Sequence, residues 1–171
     1  MPFSSFPVPG SRFRSPVWAG LINELRPRSV GMGGDQPLTS NSTTLQSITE
    51  MVVAVEIGED LDFEAMVYYT SGTAADLKLA WTFPSSSTLN YSAIGLDTAL
   101  AFSEVVSKAE ASDSAKSFGG AGTSSERFVW YRGNLVAGAT GGFQLRAAQN
   151  AAVVETENIK ASSWIEMWRA F

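Results

Sequence analysis

The sequence contains neither cysteine nor histidine, and these two absences remove most of the chemistry by which small proteins act on substrates. Without cysteine there is no disulfide framework and no thiol nucleophile, and without histidine the commonest general base and metal ligand is missing. Serine–histidine–aspartate and cysteine–histidine catalytic arrangements are therefore excluded. We expect a protein that is not an enzyme and that holds no metal and no other cofactor.

Long apolar runs are also missing. No stretch reaches the roughly 20 consecutive apolar residues that a membrane-spanning helix needs, and the proline-containing N-terminus lacks the apolar central region of a secretory signal. An apolar fraction of 44% and a mean hydropathy of +0.02 are typical of a soluble globular protein. The 171 residues suffice for one well-buried core. We expect one domain preceded by an arm, and no membrane contact.

Charge is distributed unevenly along the chain. Residues 1–36 carry four arginines against two acidic residues, 4 − 2 = +2, whereas the remaining residues carry 8 basic and 15 acidic groups, 8 − 15 = −7. An acidic body repels phosphate, so nucleic acid is not expected as a partner. The basic arm could dock on an acidic protein surface, or its arginines could simply be solvated.

The first 36 residues are predicted to form an extended N-terminal arm. Residues 1–14 are rich in proline, serine and phenylalanine, which disfavours both a helix and a central strand. Disordered segments normally lack aromatic residues, so this arm is expected to be ordered against a neighbouring subunit or a larger assembly. Glycines and a proline between residues 31 and 37 predict a hinge before the domain at 37–171.

One short amphipathic helix is predicted within the arm, at about residues 15–25. Ser15 and Pro16 are typical of a helix start, and Arg26, which precedes a proline, is typical of its end. Its apolar stripe recurs at helical spacing in Trp18, Leu21, Ile22 and Leu25. The stripe either folds back onto the domain or docks on a partner.

Alternating apolar and polar residues predict that the domain is all-β. The alternation is clearest at 61–70, and the runs at 51–57 and 77–83 share its period of two. Turn residues lie between these runs, which predicts a three-stranded meander. A second sheet is then needed to cover its apolar face.

The rest of the chain continues this pattern. Further strands are predicted at 88–96, 128–135, 142–150 and 161–171. Residues 97–117 are ambiguous between strand and alanine-rich helix, and we favour an extended, partly looped crossing; the glycine-rich segment 117–125 is predicted to be a flexible loop. Eight or so short strands with glycine or serine turns predict a jelly-roll-like antiparallel β-sandwich.

Acidic residues offer the main alternative to this non-catalytic interpretation. Glu56, Asp62 and Glu64 could serve as paired carboxylates for glycoside hydrolysis, but they alternate with core residues and should project from the outer face. Glu59 and Asp60 with their neighbours lack the spacing of a calcium loop. A serine–lysine pair remains formally possible, although the four lysines lie in polar contexts.

Several segments resemble a β-sandwich module of tailed-phage virion proteins. The similar segments are LINELRP at 21–27, STTLQ at 42–46, LDFEA at 61–65, AADLKLAWTFP at 74–84, GFQLRAAQN at 142–150 and IKASSW at 159–164. The resemblance covers roughly residues 21–171, with 97–127 unmatched. The chain departs from the module in this insertion and in the serine turn at 85–87, where the module tends to carry glycine.

The resemblance implies a virion structural protein without catalytic activity, either a capsid decoration (cement or head-fibre) subunit or a small tail-associated protein, commonly assembled as a trimer. We expect a capsid decoration protein that binds the shell through its N-terminal arm, on the capsid surface rather than the tail. Its expected partners are the major capsid protein or other virion proteins, and a homotrimer is expected because five tryptophans exceed what one small sandwich readily buries.

The residues expected to make the assembly contact combine the arm's cationic and apolar side chains. They are Arg12, Phe13, Arg14, Trp18, Leu21, Ile22, Leu25, Arg26 and Arg28. The alternative is a tail-associated receptor- or carbohydrate-binding module, whose site would be formed by the loops at 85–92 and 117–126.

Overall fold

The computed structural model describes residues 27–99, 101–110 and 114–170, and in these residues the chain forms twelve β-strands and no helix. The predicted helix at about 15–25 and the arm before it lie outside the described residues. In chain order, the strands are β1 (Arg28–Gly31), β2 (Gln36–Pro37), β3 (Gln46–Val55), β4 (Asp60–Ser71), β5 (Leu77–Thr82), β6 (Thr88–Leu96), β7 (Phe102–Glu110), β8 (Lys116–Phe118), β9 (Gly122–Val136), β10 (Gly141–Gln149), β11 (Asn158–Ile159) and β12 (Trp164–Arg169).

The strands form two antiparallel sheets whose apolar faces meet. The large sheet has eight strands in the order β1-β12-β4-β9-β6-β7, with the short β11 pairing β4 and β2 pairing β11. The small sheet has four strands in the order β3-β10-β5-β8. Buried side chains from both sheets join in one hydrophobic core. The prediction of an all-β antiparallel sandwich is confirmed.

The chain repeatedly crosses from one sheet to the other. Strands β1, β4, β9 and β12 lie in the large sheet, and β3, β5, β8 and β10 lie in the small sheet. The predicted three-stranded meander is therefore wrong, because β3, β4 and β5 are successive strands that do not pair with one another. A period of two identifies the two faces of a strand, but it carries no information about which strand lies beside it.

An aromatic cluster fills the centre of the core. The large sheet contributes Phe63 and Tyr131, and the small sheet contributes Trp81 and Phe143. The rings of Trp81 and Phe143 stack with centroids 4.5 Å apart, and Phe63 meets Phe143 edge-on at 4.9 Å. Such contacts join the two sheets directly, so the core depends on side chains that are distant in sequence.

Gly133 of β9 lies opposite Phe63 of β4 and makes this packing possible. A Cβ atom at position 133 would lie 2.6 Å from a ring carbon of Phe63 and 2.3 Å from the carbonyl oxygen of Asn90. No side chain can occupy that space. The glycine is therefore required by close approach of the core ring and of the neighbouring strand.

The two segments that were difficult to predict are mostly strands. Residues 102–110 form β7, an extended strand paired with β6, as favoured over the helix. The prediction of a flexible loop at 117–125 is wrong, because β8 ends at 118 and β9 begins at 122. Gly120 between them packs so closely that a Cβ would lie 2.1 Å from the carbonyl oxygen of Gly72. This glycine serves close backbone approach rather than flexibility.

Among the described residues, the first strand of the sandwich begins at Arg28, upstream of the predicted boundary at residue 37. Strand β1 pairs with β12, and Met32 just after it is buried, with 6% of its surface exposed. The glycine-rich stretch expected to be a hinge thus lies between β1 and β2, two strands of the same sheet. The described residues of the predicted arm, 27–36, are part of the body.

Candidate docking surface on the large sheet

A row of large apolar side chains crosses the outer face of the large sheet. The antiparallel register places Trp164 of β12 beside Met66 of β4, Met66 beside Trp130 of β9, and Trp130 beside Ile94 of β6. We call these four residues the apolar patch. All four are half-buried, whereas their neighbours in sequence, such as Ile165 and Val129, point inward and are fully buried. The patch therefore follows from alternation along four adjacent strands.

The neighbouring row on the same face is acidic. Glu166 of β12 lies directly opposite Glu64 of β4, and Asp62 lies one step further along β4. We call these three residues the acidic strip; together with Arg132, the partner of Glu64 on β9, they have a net charge of −3 + 1 = −2. Like charges placed directly opposite one another on paired strands are destabilising. A cationic partner would relieve this repulsion.

Neutral donors on the sheet already engage part of the acidic strip. The indole Nε1 of Trp130 donates to Glu64 Oε1 at 2.6 Å, and Nδ2 of Asn134 donates to Asp62 at 3.2 Å. The prediction that Asp62 and Glu64 project from the outer face is confirmed, since both alternate with buried residues of β4. The strip is continuous with the apolar patch, which gives one surface with an aromatic half and an acidic half.

Arg28 is the only residue of the predicted assembly contact that falls within the described residues, and its side chain, which is 40% exposed, is held by contacts within the same chain. Its guanidinium donates to both carboxylate oxygens of Glu59 and, through Nη1 at 2.8 Å, to the carbonyl oxygen of Ala54. The hydrogen bond from Arg28 holds the pKa of Glu59 below its ordinary value. These contacts tie β1 to the β3–β4 turn.

The other eight residues of the predicted contact lie outside the described residues. They are Arg12, Phe13, Arg14, Trp18, Leu21, Ile22, Leu25 and Arg26. The loops proposed for a receptor-binding site are shorter than predicted, because β6 begins at Thr88 and only residues 119–121 separate β8 from β9. Much of the sequence assigned to those loops thus forms strands.

The sequence did not indicate that Glu157 is buried, because this residue lies in a polar segment that is typical of a solvated loop. It is fully buried, and its Oε1 accepts a hydrogen bond from Ser71 Oγ at 2.6 Å. Burial raises the pKa of Glu157 to about 7; the nearby charges of Glu155 and Asp76 also raise it, and the Ser71 hydrogen bond opposes them. Glu157 is therefore titratable near neutral pH.

Within residues 27–99, 101–110 and 114–170, no three acidic side chains come together as a metal ion would require, and no helix could cross a membrane. The apolar patch and the acidic strip are the features of the large sheet that can engage a partner. Both are broad and lie on rigid strands, which suits an extended protein segment better than a small molecule.

Comparisons with known proteins identify no family for this chain. No family description matches it, and no curated protein matches it. Its structure is weakly similar to solved structures of infectious bursal disease virus. One, of the Gx strain, has a TM-score of 0.21 at 8% identity and covers 83% of this chain and 40% of that chain.

Two further structures of that virus give comparable values. The Gt strain has a TM-score of 0.22 at 9% identity, and the VP2 subviral particle has a TM-score of 0.20 at 8% identity; each covers 85% of this chain and 42% of the other. This chain spans about two fifths of those proteins. Similarity of this size does not identify a function.

Proposed function

We propose that this chain is a virion structural protein, a capsid decoration protein that attaches to the shell through its N-terminal arm. The observation that carries the proposal is the strand order. Apart from the β6–β7 pair and the short strands β2 and β11, the two sheets have the orders β1-β12-β4-β9 and β3-β10-β5-β8, which are those of a jelly roll. Jelly rolls occur in viral capsid proteins, and also in lectins and cupins.

Architecture alone does not define function, so the outward surface must support the same proposal. The large sheet presents tryptophan and methionine side chains in one continuous row, and these residue types are enriched in protein–protein interfaces. A protein that assembles with virion components needs such a surface and no catalytic group. The resemblance of the strand sequences to tailed-phage virion modules points the same way.

The proposed assembly is a homotrimer on the capsid surface, with the major capsid protein as the partner of the arm. Trp81 is buried in the core, whereas Trp130, Trp164 and Trp168 are half-buried on the outer face of the large sheet. Their exposed surface supports contacts beyond this chain's own core. Light scattering of the purified protein at micromolar concentration tests the oligomeric state.

Attachment is tested by retention on purified particles of the virus that encodes the protein. Phe13→Ala should weaken retention about tenfold or more, because burying a phenylalanine is worth about 1.5–3 kcal/mol. The matched variant Arg12→Ala should weaken it less, since an exposed ion pair contributes about 0.2–1 kcal/mol. Raising salt to about 1 M, where the screening length is about 3 Å, should release little protein.

The opposite ranking would contradict an apolar attachment. If both variants and high salt leave the protein on particles, the arm is not the attachment element. If the protein instead sediments only with detached tails and binds host-cell glycans, the tail-associated receptor-binding alternative is correct and the decoration proposal is wrong.

A further inference from the structure

We propose that residues 150–157 form a strap across one end of the sandwich, closed when the carboxyl group of Glu157 is protonated and open when it is ionised. The strap connects β10 of the small sheet to β11 of the large sheet, so it passes from one sheet to the other. This inference concerns the free protein and does not depend on the proposed function.

The apolar side chains of the strap contribute little to holding it in place. Val154 is 83% exposed, and Ala151 and Ala152 are exposed as well. In this segment, which the structure describes throughout, Glu157 is the only buried residue. Segments with few buried apolar contacts open at a lower free energy than the core does. The carboxyl group of Glu157 is therefore the main buried anchor of the strap.

Main-chain hydrogen bonds join the strap to the chain segment that follows β2. The Leu38 amide donates to the carbonyl oxygen of Glu157 at 2.9 Å. The Asn41 amide donates to the carbonyl oxygen of Val153 at 3.0 Å. The buried side chain of Gln149, just before the strap, accepts from the Val153 amide at 3.3 Å. These bonds break when the strap leaves the body, so the amides of Leu38 and Asn41 report its opening.

The carboxyl group of Glu157 lies where a neutral group fits better than a charged one. Its Oε1 accepts a hydrogen bond from Ser71 Oγ at 2.6 Å, whereas its Oε2 is buried and has no hydrogen-bond partner among the described residues. Oε2 of Glu155 is in the same situation and lies so close to Gly72 that a Cβ atom there would overlap it. Burying an ionised carboxylate with an unpaired oxygen is costly, because the lost hydration is not replaced.

The groups that face Glu157 add negative charge and supply no balancing cation. Burial, and with it the charges of Glu155 and Asp76, raise the pKa of Glu157 to about 7. Tyr69 of β4 is the other titratable neighbour, and burial raises its pKa too, so its hydroxyl stays neutral. Arg127 of β9 lies opposite Tyr69, yet within the described residues no ion pair joins it to Glu157.

The direction of the pH effect follows from the two environments of the carboxyl group. When the strap opens, water reaches Glu157 and its pKa returns to the ordinary value of 4.5. The closed state therefore binds more protons than the open state between about pH 4.5 and 7, so rising pH favours opening across this range. Above about pH 7 the carboxyl group is ionised in both states, and the equilibrium no longer changes.

Hydrogen exchange of the full-length protein, followed by mass spectrometry or NMR at pH 5 and pH 8, tests the inference. After correction for the intrinsic pH dependence of exchange, the amides of Leu38, Asn41 and the strap should open at least about tenfold more often at pH 8. The internal control is the amide of Gly138 in the turn between β9 and β10, at the opposite end of β10, which donates to Ser87 Oγ at 2.9 Å. Its protection should not change.

Two matched variants identify the responsible group. Glu157→Gln keeps an oxygen for Ser71 and removes the charge, so protection of the strap should no longer depend on pH. Glu155→Gln removes a neighbouring charge, so the pH effect should become smaller; it replaces Glu157→Gln if circular dichroism shows that the latter is unfolded. Equal protection of the parent's strap at both pH values, an unchanged pH effect in the variants, or a parallel change at Gly138 would each overturn the proposal.

Discussion

The outer faces of the two sheets are built by the same alternation but present different chemistry. On the large sheet the outward residues are aromatic or acidic, as in Trp164, Trp130 and Glu64. On the small sheet they are mostly polar, as in Ser47, Thr82 and Gln144. The comparison shows that alternation of inward and outward residues produces an outer face on each sheet. The types of the outward residues then decide whether that face can bind a partner.

Basic side chains on the small sheet are used internally. Lys78 Nζ donates to the carbonyl oxygen of Thr43 at 2.6 Å, and Arg146 Nη2 donates to that of Leu45 at 2.7 Å. They fix the segment 43–45 along this face. The small sheet therefore holds a piece of its own chain by cation–carbonyl contacts, and the large sheet presents an apolar and acidic surface.

Both sheets pack against one core, and disrupting this core should have the largest effect on the free energy of unfolding. Phe143→Ala removes a ring that contacts both Phe63 and Trp81, and the free energy of unfolding should fall by about 3–5 kcal/mol. Urea denaturation measures the change. Val52→Ala, a truncation on the small sheet's outer face, should change stability by less than about 0.5 kcal/mol. Similar losses for the two variants would contradict the described core.

A second measurement leaves both outer faces intact and titrates a buried carboxyl group beside the end of β4. Glu157 has a pKa of about 7 in the folded protein and an ordinary value near 4.5 when unfolded. The folded state therefore binds more protons than the unfolded state between these values, so the free energy of unfolding falls as pH rises from about 4.5 to 7. The decrease should be at most about 3 kcal/mol.

Glu157→Gln removes this titration while retaining an oxygen that can accept the Ser71 hydrogen bond. Compared with the parent protein, the variant should be more stable by about 1–3 kcal/mol at pH 8 and nearly equal at pH 5. Urea melts at the two pH values provide the measurement. A constant difference between the two proteins across this range would show that Glu157 does not titrate there.

The smallest expected effect comes from placing a lysine on the outer face of each sheet. Met66 is half-buried between Trp164 and Trp130, so Met66→Lys places a charge between two indole rings and should cost about 1–2 kcal/mol. Val52→Lys makes the same change on the small sheet and should stay within about 0.5 kcal/mol. Thermal or urea unfolding compares them, and equal costs would contradict the packing of Met66 between the two tryptophans.

The sequence correctly predicted the inward residues of β4, β5 and β10, because the period of two is a local property that each strand displays alone. It also predicted that Asp62 and Glu64 face outward. It did not predict the apolar patch, whose four members come from four separate strands. Only the register between strands brings them into one row.

What the sequence determined by itself is the all-β class, the two faces of the long strands, and the lack of histidine and cysteine chemistry. The tertiary structure decided which strands are neighbours, why Gly133 and Gly120 must be glycines, and that Glu157 is buried. The physical reason is the separation along the chain between the residues that interact. Alternation and residue chemistry act between neighbours in the chain, whereas strand partners, close backbone approach and burial depend on contacts between residues that are distant in sequence.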